Sequence, residues 1–127
     1  IWTAFVSEYI EVEGPYQLND YQVQSEPDGG ESCTASIQVA DSEVNVSGRG
    51  SGPIEAFINA MVETLNEPLN VIDYQEYALK EGSEAQAICI LALSDDDGNK
   101  YYGVGISQNT TTAAFTSIIA AINRMWR

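Results

Sequence analysis

Three glycines at alternate positions lead into a proline in the run Gly48-Arg49-Gly50-Ser51-Gly52-Pro53. At the start of a helix such a run presents backbone N–H groups to an anion, and the helix dipole favours negative charge there. A carboxylate or a phosphate is the ligand this chemistry suits. The phosphate version is weakened because the run lacks the Gly-Lys-Ser/Thr ending of a P-loop and the GxGxxG spacing of a dinucleotide site. Taken alone, the glycines are as well explained by a tight strand-to-helix turn. A second junction, Gly103-Val104-Gly105 through Thr112, repeats the arrangement with polar caps, so two helix starts are available to one site. Ala78, Ala85 and Ala87 are small residues at the end of one expected strand and the start of the next. They either permit close packing of sheets or subunits, or leave room for a small branched apolar group, with Tyr74 as an aromatic wall. A carboxylate anchor beside a small apolar pocket fits an amino acid.

Other chemistry is scarce. The 127 residues include no histidine, which removes the commonest general base and the commonest metal ligand, and no Ser or Cys sits in a recognised nucleophile motif. No pair of carboxylates stands out from the general acidity as an acid and base. Cys33 and Cys89 lack CxxC spacing and read as buried free thiols of a cytoplasmic protein. Asp95-Asp96-Asp97-Gly98-Asn99 resembles the opening of a calcium loop, but Ile106 occupies the twelfth position, where the bidentate Glu belongs.

The elements that position these residues form a repeat. In the first half, strands are expected over Tyr21–Ser25, Ser32–Ala40 and Glu43–Ser47, the second alternating with Cys33, Ala35, Ile37 and Val39 on one face. Pro53 suits the first helical position, and Ile54, Phe57, Ile58, Met61, Val62 and Leu65 form the stripe of a sheet-packed helix. In the second half, Asn70–Leu79, Ala85–Leu93 and Lys100–Ile106 read as strands, the last two joined by the acidic hairpin. A helix then opens after Gln108-Asn109-Thr110-Thr111-Thr112 and buries Phe115, Ile118, Ile119 and Ile122. The fold class is α+β: two pseudo-repeated βββα units, about 19–67 and 69–127, with antiparallel sheets packed against helices. Residues 1–18 read as a short helix carrying Trp2, Phe5, Val6 and Tyr9 and a linker broken at Gly14-Pro15, coming from a preceding subdomain.

Nineteen acidic residues against five basic ones give a net charge of -14, which repels phosphate backbones and anionic bilayers, so neither nucleic acid nor membrane is an expected partner. No apolar run approaches the roughly 18 to 20 residues that span a bilayer. The first ten residues contain Glu8 and lack the basic region of a secretory signal. The chain begins with Ile1, which suggests a fragment of a longer polypeptide.

Six segments together resemble the C-terminal regulatory domain of 2-isopropylmalate synthase, over about residues 19–127. They are Gly50-Ser51-Gly52-Pro53-Ile54-Glu55-Ala56, Val71-Ile72-Asp73-Tyr74, Gly82-Ser83-Glu84-Ala85-Gln86-Ala87, Tyr102-Gly103-Val104-Gly105-Ile106, Thr111-Thr112-Ala113 and Ala121-Ile122-Asn123-Arg124. The resemblance implies a cytoplasmic, dimeric feedback domain that binds L-leucine near the subunit interface. It implies no cofactor in this domain, and no catalytic residue. The resemblance further implies that the acyl transfer from acetyl-CoA to 2-oxoisovalerate, in leucine biosynthesis, takes place in a metal-dependent TIM barrel of the same polypeptide. Positions matching the family's inhibitor pocket are Gly50, Ser51, Gly52, Pro53, Ile54, Glu55, Val71, Tyr74, Ala78, Ala85 and Ala87, with Asn109, Thr110 and Thr111 from the second junction. Some relatives carry a small residue where Glu55 stands, and others carry Pro or Ile in the stretch matched to Gln108-Asn109-Thr110. Competing readings are an isoleucine-binding citramalate synthase domain, a ligand-free dimerisation module, and a nucleotide-binding domain, the last disfavoured by the charge and by the lack of a phosphate-binding lysine.

Overall fold

Alternation of apolar and polar residues builds the first sheet, as a computed structural model of the chain that describes residues 14–81 and 84–125 makes plain. Strands β1 (Tyr16–Ser25), β2 (Glu31–Val39) and β3 (Ser42–Gly50) pair antiparallel in that order. Cys33, Ala35 and Ile37 of β2 and Val46 of β3 are buried on one face, beneath helix α1 (Pro53–Leu65). Ser32, Thr34 and Ser36 alternate with them on the other face. The helix begins with Pro53 after the extended cap Gly52 and ends at Asn66, whose left-handed backbone (φ 55°) returns its N–H to Val62 O. Phe57 and Met61 are fully buried in the core between helix and sheet.

The second unit repeats the plan with β4 (Asn70–Glu81), β5 (Glu84–Ser94), β6 (Lys100–Ser107) and α2 (Thr110–Met125). Cys89, Leu91 and Leu93 of β5 are buried together with Phe115, Ile118 and Ile122 of α2. Residues 15–69 and residues 70–125 with Gly14 form two compact units. The expected βββα order and antiparallel sheets are therefore present in both halves. The expected short helix at the start falls outside the described residues.

Several boundaries differ from expectation, among them the start of α2, which opens at Thr110 and not after Thr112. Strand β1 starts at Tyr16, so Tyr16, Gln17 and Leu18 of the expected linker pair with Val39, Gln38 and Ile37. The hairpin between β2 and β3 turns at Ala40 and Asp41, with Ala40 in the left-handed region (φ 53°). Gly48, Arg49 and Gly50 lie in β3 and pair with Cys33, Ser32 and Glu31, so the loop itself is only Ser51 and Gly52.

Register makes the two units superpose residue by residue. Cys33 pairs with Gly48, and Cys89 pairs with Gly105. Two places further along, Ala35 pairs with Tyr21, and Leu91 pairs with Tyr74. Each of these tyrosines sits in an identical Asp-Tyr-Gln tripeptide, Asp20-Tyr21-Gln22 and Asp73-Tyr74-Gln75, directly after a break in strand register.

Candidate functional site

Glycine has a packing role at the first junction. A Cβ added to Gly48 would collide with Ala56 O and lie 2.5 Å from Ala60 N; at Gly50 it would lie 2.7 Å from Ala56 N. Helix α1 thus rests on the bare backbone of β3. Gly105 and Gly103 seat α2 in the same way, with Ser117 N 2.8 Å from an added Cβ at Gly105 and Ala121 N 2.5 Å from one at Gly103. The turn reading of these glycines gives way to close approach of helix and strand. Gly52 differs, because nothing lies within 4 Å of the Cβ it lacks.

The anion-binding capacity of this junction rests on Ser51, Gly52 and the first turn of α1. No side chain caps the helix at Gly52, and the first N–H groups of a helix have no partner within it. A carboxylate is already present there: Glu55 accepts hydrogen bonds from Ser51 N (3.1 Å) and Ser51 Oγ (3.3 Å). Asn59 Nδ2 fastens the end of β3 by donating to Arg49 O at 2.6 Å. Pro53 and Ile54 are half-buried beside the opening, whereas Ser51 and Glu55 are exposed.

At the second junction the cap is a side chain. Thr112 N donates to Asn109 Oδ1 at 3.1 Å, and Asn109 N donates to Ser107 Oγ at 3.1 Å. Thr110 opens α2, and its carbonyl oxygen lies 4.0 Å from Cys89 Sγ. The same sulfur lies 3.3 Å from the Tyr74 hydroxyl, which also donates to Glu76 Oε2 at 2.9 Å. Burial, the Cys89 thiol and the Glu76 carboxylate all hold the Tyr74 proton on, pushing its pKa far above the ordinary phenol value. Tyr74 is therefore a neutral donor at any physiological pH.

Strand register carries this face beyond the helix. Ala87 pairs with Ala78 on one side and Ser107 on the other, two places past the Cys89–Gly105 pair on which α2 begins to lie. Ala78 and Ala85 are exposed and Ala87 is half-buried, so the sheet outruns its helix and leaves a shelf of small side chains. Val71 stands apart. It pairs with Leu93 and lies seven residues before Ala78, about 20 Å along an extended strand.

The fourteen residues expected at the ligand site thus fall in two groups. Gly50, Ser51, Gly52, Pro53, Ile54 and Glu55 are contiguous in the first unit. Ala78, Ala85, Ala87, Asn109, Thr110 and Thr111 lie towards one end of the second, Val71 lies towards the other, and Tyr74 stands between them. Sequence reasoning missed Cys89, which register brings to Tyr74, and Glu76, two residues further along the same face of β4. The repeated Asp-Tyr-Gln was the available signal for both. An open concavity of about 440 Å³ lies elsewhere on the first sheet, among Asp20, Gln22, Thr34, Ser36, Asn45 and Ser47, and holds none of the expected residues.

The acidic run after β5 is turn chemistry. Asp95 Oδ1 accepts from Asp97 N (3.0 Å) and Asn99 N (2.9 Å), and Oδ2 accepts from Asn99 Nδ2 (3.1 Å) and Tyr101 Oη (3.3 Å). Among the described residues no group of three or more Cys, Asp or Glu side chains could hold a metal ion. No helix among them is long and apolar enough to cross a membrane.

Residues 1–126 match the family model described as the LeuA allosteric (dimerisation) domain. A 2-isopropylmalate synthase of Rhodospirillum rubrum is 31% identical over 98% of the chain, and the enzyme of Clostridium acetobutylicum is 36% identical over 98%. That of Thermobifida fusca is also 36% identical over 98% of the chain. The chain spans 21–23% of the length of these three relatives.

Proposed function

Since the chain belongs to the LeuA allosteric (dimerisation) domain family, we propose that it is the regulatory part of a 2-isopropylmalate synthase, a homodimer that binds L-leucine and thereby inhibits the enzyme. The observation that carries this reading is the match of nearly the whole chain to about a fifth of enzymes that bear that name. In this reading the chain is not itself catalytic. The condensation of acetyl-CoA with 2-oxoisovalerate, and the divalent metal it uses, belong to a separate TIM-barrel domain of the same cytoplasmic polypeptide.

The ligand carboxylate takes N–H groups at the start of α1, where the Glu55 carboxylate already finds two donors in Ser51. In the second unit, the shelf of Ala78, Ala85 and Ala87 suits a small branched apolar side chain, and Tyr74, Asn109, Thr110 and Thr111 are the polar groups of that unit expected to serve the ligand. Inhibition follows if leucine favours one state of the full enzyme over another, by a coupling of typically about 1 to 3 kcal/mol.

Calorimetric titration of the chain with L-leucine and with L-isoleucine tests the proposal. Saturable heat with leucine preferred supports it; preference for isoleucine transfers the domain to a citramalate synthase. No heat from folded dimer at millimolar ligand leaves a dimerisation module without a sensor. Ala87→Leu should abolish leucine binding without unfolding the chain.

A further inference from the structure

The last turn of α2 holds a residue that helix chemistry does not favour there. Asn123 is 4% exposed, and asparagine is a poor helix former better suited to helix ends. Its counterpart in the first repeat sits at such an end. Gly48 meets Ala56 O and Ala60 N, and Gly105 meets Ala113 O and Ser117 N, so the two helices match residue by residue and Asn123 is the equivalent of Asn66. Asn66 is exposed and closes α1 in the left-handed conformation. Helix α2 runs past the equivalent place to Met125 and keeps its asparagine inside.

The buried asparagine faces Gly14, which belongs with the second unit. A Cβ added to Gly14 would collide with Asn123 Cγ and Oδ1 and lie 2.6 Å from Asn123 Cβ. Because Asn123 is almost wholly enclosed, it has no room to swing aside, and only a residue without a side chain rests on it. The other end of α2, about 20 Å away along the helix, carries Thr110 and Thr111 behind the cap Asn109. One helix thus has a candidate ligand end and an end that bears the residue leading the chain towards β1.

We propose, resting on the regulatory reading above in which the catalytic domain precedes this chain, that the contact of Gly14 with Asn123 is the joint by which ligand binding at the start of α2 reaches the polypeptide before residue 14. Gly14 and Asn123 stand outside the candidate ligand site, so they are positioning residues. Disturbing the joint separates inhibition from binding.

The test uses Gly14→Ala, which overfills the contact, and Asn123→Ala, which empties it. By calorimetry on the chain, each variant should bind L-leucine within about twofold of the wild type, as expected of substitutions remote from the ligand. In the full enzyme each should keep its uninhibited activity. The factor by which saturating leucine lowers that activity, typically about 5 to 150 for an allosteric coupling, should fall most of the way to one. Asn123→Ala decides alone if Gly14→Ala does not fold. Undiminished inhibition in a folded variant overturns the joint and leaves the leucine reading standing. Binding that weakens in step with inhibition also overturns it, and gives the contact a packing role. A wild-type enzyme that leucine neither binds nor inhibits overturns both.

Discussion

Cys33 and Cys89 stand at equivalent places in the two sheets, each opposite a glycine that seats a helix. Burial pushes the Cys33 thiol up to about 11 and raises Cys89 as well, so both are protonated and shielded at neutral pH. Ellman's reagent at pH 8 should label neither in the native chain and both in urea. Fast labelling of either would contradict the packing. The same shifts predict a pH effect. An unfolded thiol ionises near 9, whereas folded Cys33 keeps its proton to about 11, so across that window the unfolded state binds fewer protons and stability falls as pH rises. Cys89 and Tyr74, both raised, act in the same direction. Urea midpoints should decline between about pH 9 and 11, less steeply in Cys33→Ala. Tyr74→Phe, which removes the hydroxyl between Glu76 and Cys89, should cost about 0.5 to 1.5 kcal/mol in the same measurement at pH 7. That the cysteines are buried free thiols was legible from their spacing. The link from Tyr74 to Cys89 was not, because it depends on a cross-strand register that includes a bulge.

At the scale of elements, the glycines are the lesson. Reading Gly48-Arg49-Gly50 as loop followed from glycine's poor fit to strands. The structure overrides that preference because only a strand without side chains lets α1 and α2 approach so closely. The need lies in atoms far away in sequence, such as Ala60 for Gly48 and Ser117 for Gly105, and nothing local announces it. Gly105→Ala should therefore lower stability by about 1 to 3 kcal/mol through overpacking, and Gly48→Ala similarly. Gly52→Ala, which meets open space, should stay within about 1 kcal/mol in urea denaturation. Equal costs at positions 52 and 105 would refute the distinction. Helix stripes were legible, and Pro53 begins α1 as its chemistry dictates, but α2 opens at Thr110 behind its cap Asn109 and not after Thr112 as expected.

For the whole molecule, nineteen acidic residues stand against five basic ones, and the ion pair of Arg49 with Asp28 is exposed at both ends. Such a pair adds little, so self-repulsion is left largely uncompensated. Thermal stability should rise between 10 mM and 0.5 M sodium chloride, as the screening length contracts from about 30 Å to a few ångströms. A fall would point to a stabilising charge network. The doubling of βββα was readable in advance because each helix stripe and each alternating strand declares its own period. The fine correspondence of the two halves emerged only with register, which makes Cys33 the equivalent of Cys89 and Tyr21 the equivalent of Tyr74. That correspondence has a mechanical corollary in the glycine seats. At Gly103 and Gly105 the helix meets bare strand backbone, so at those two points no side chain lies between helix and sheet to absorb a push. Whatever nudges the first turn of α2 is carried as by a rigid rod to its last turn, about 24 Å away.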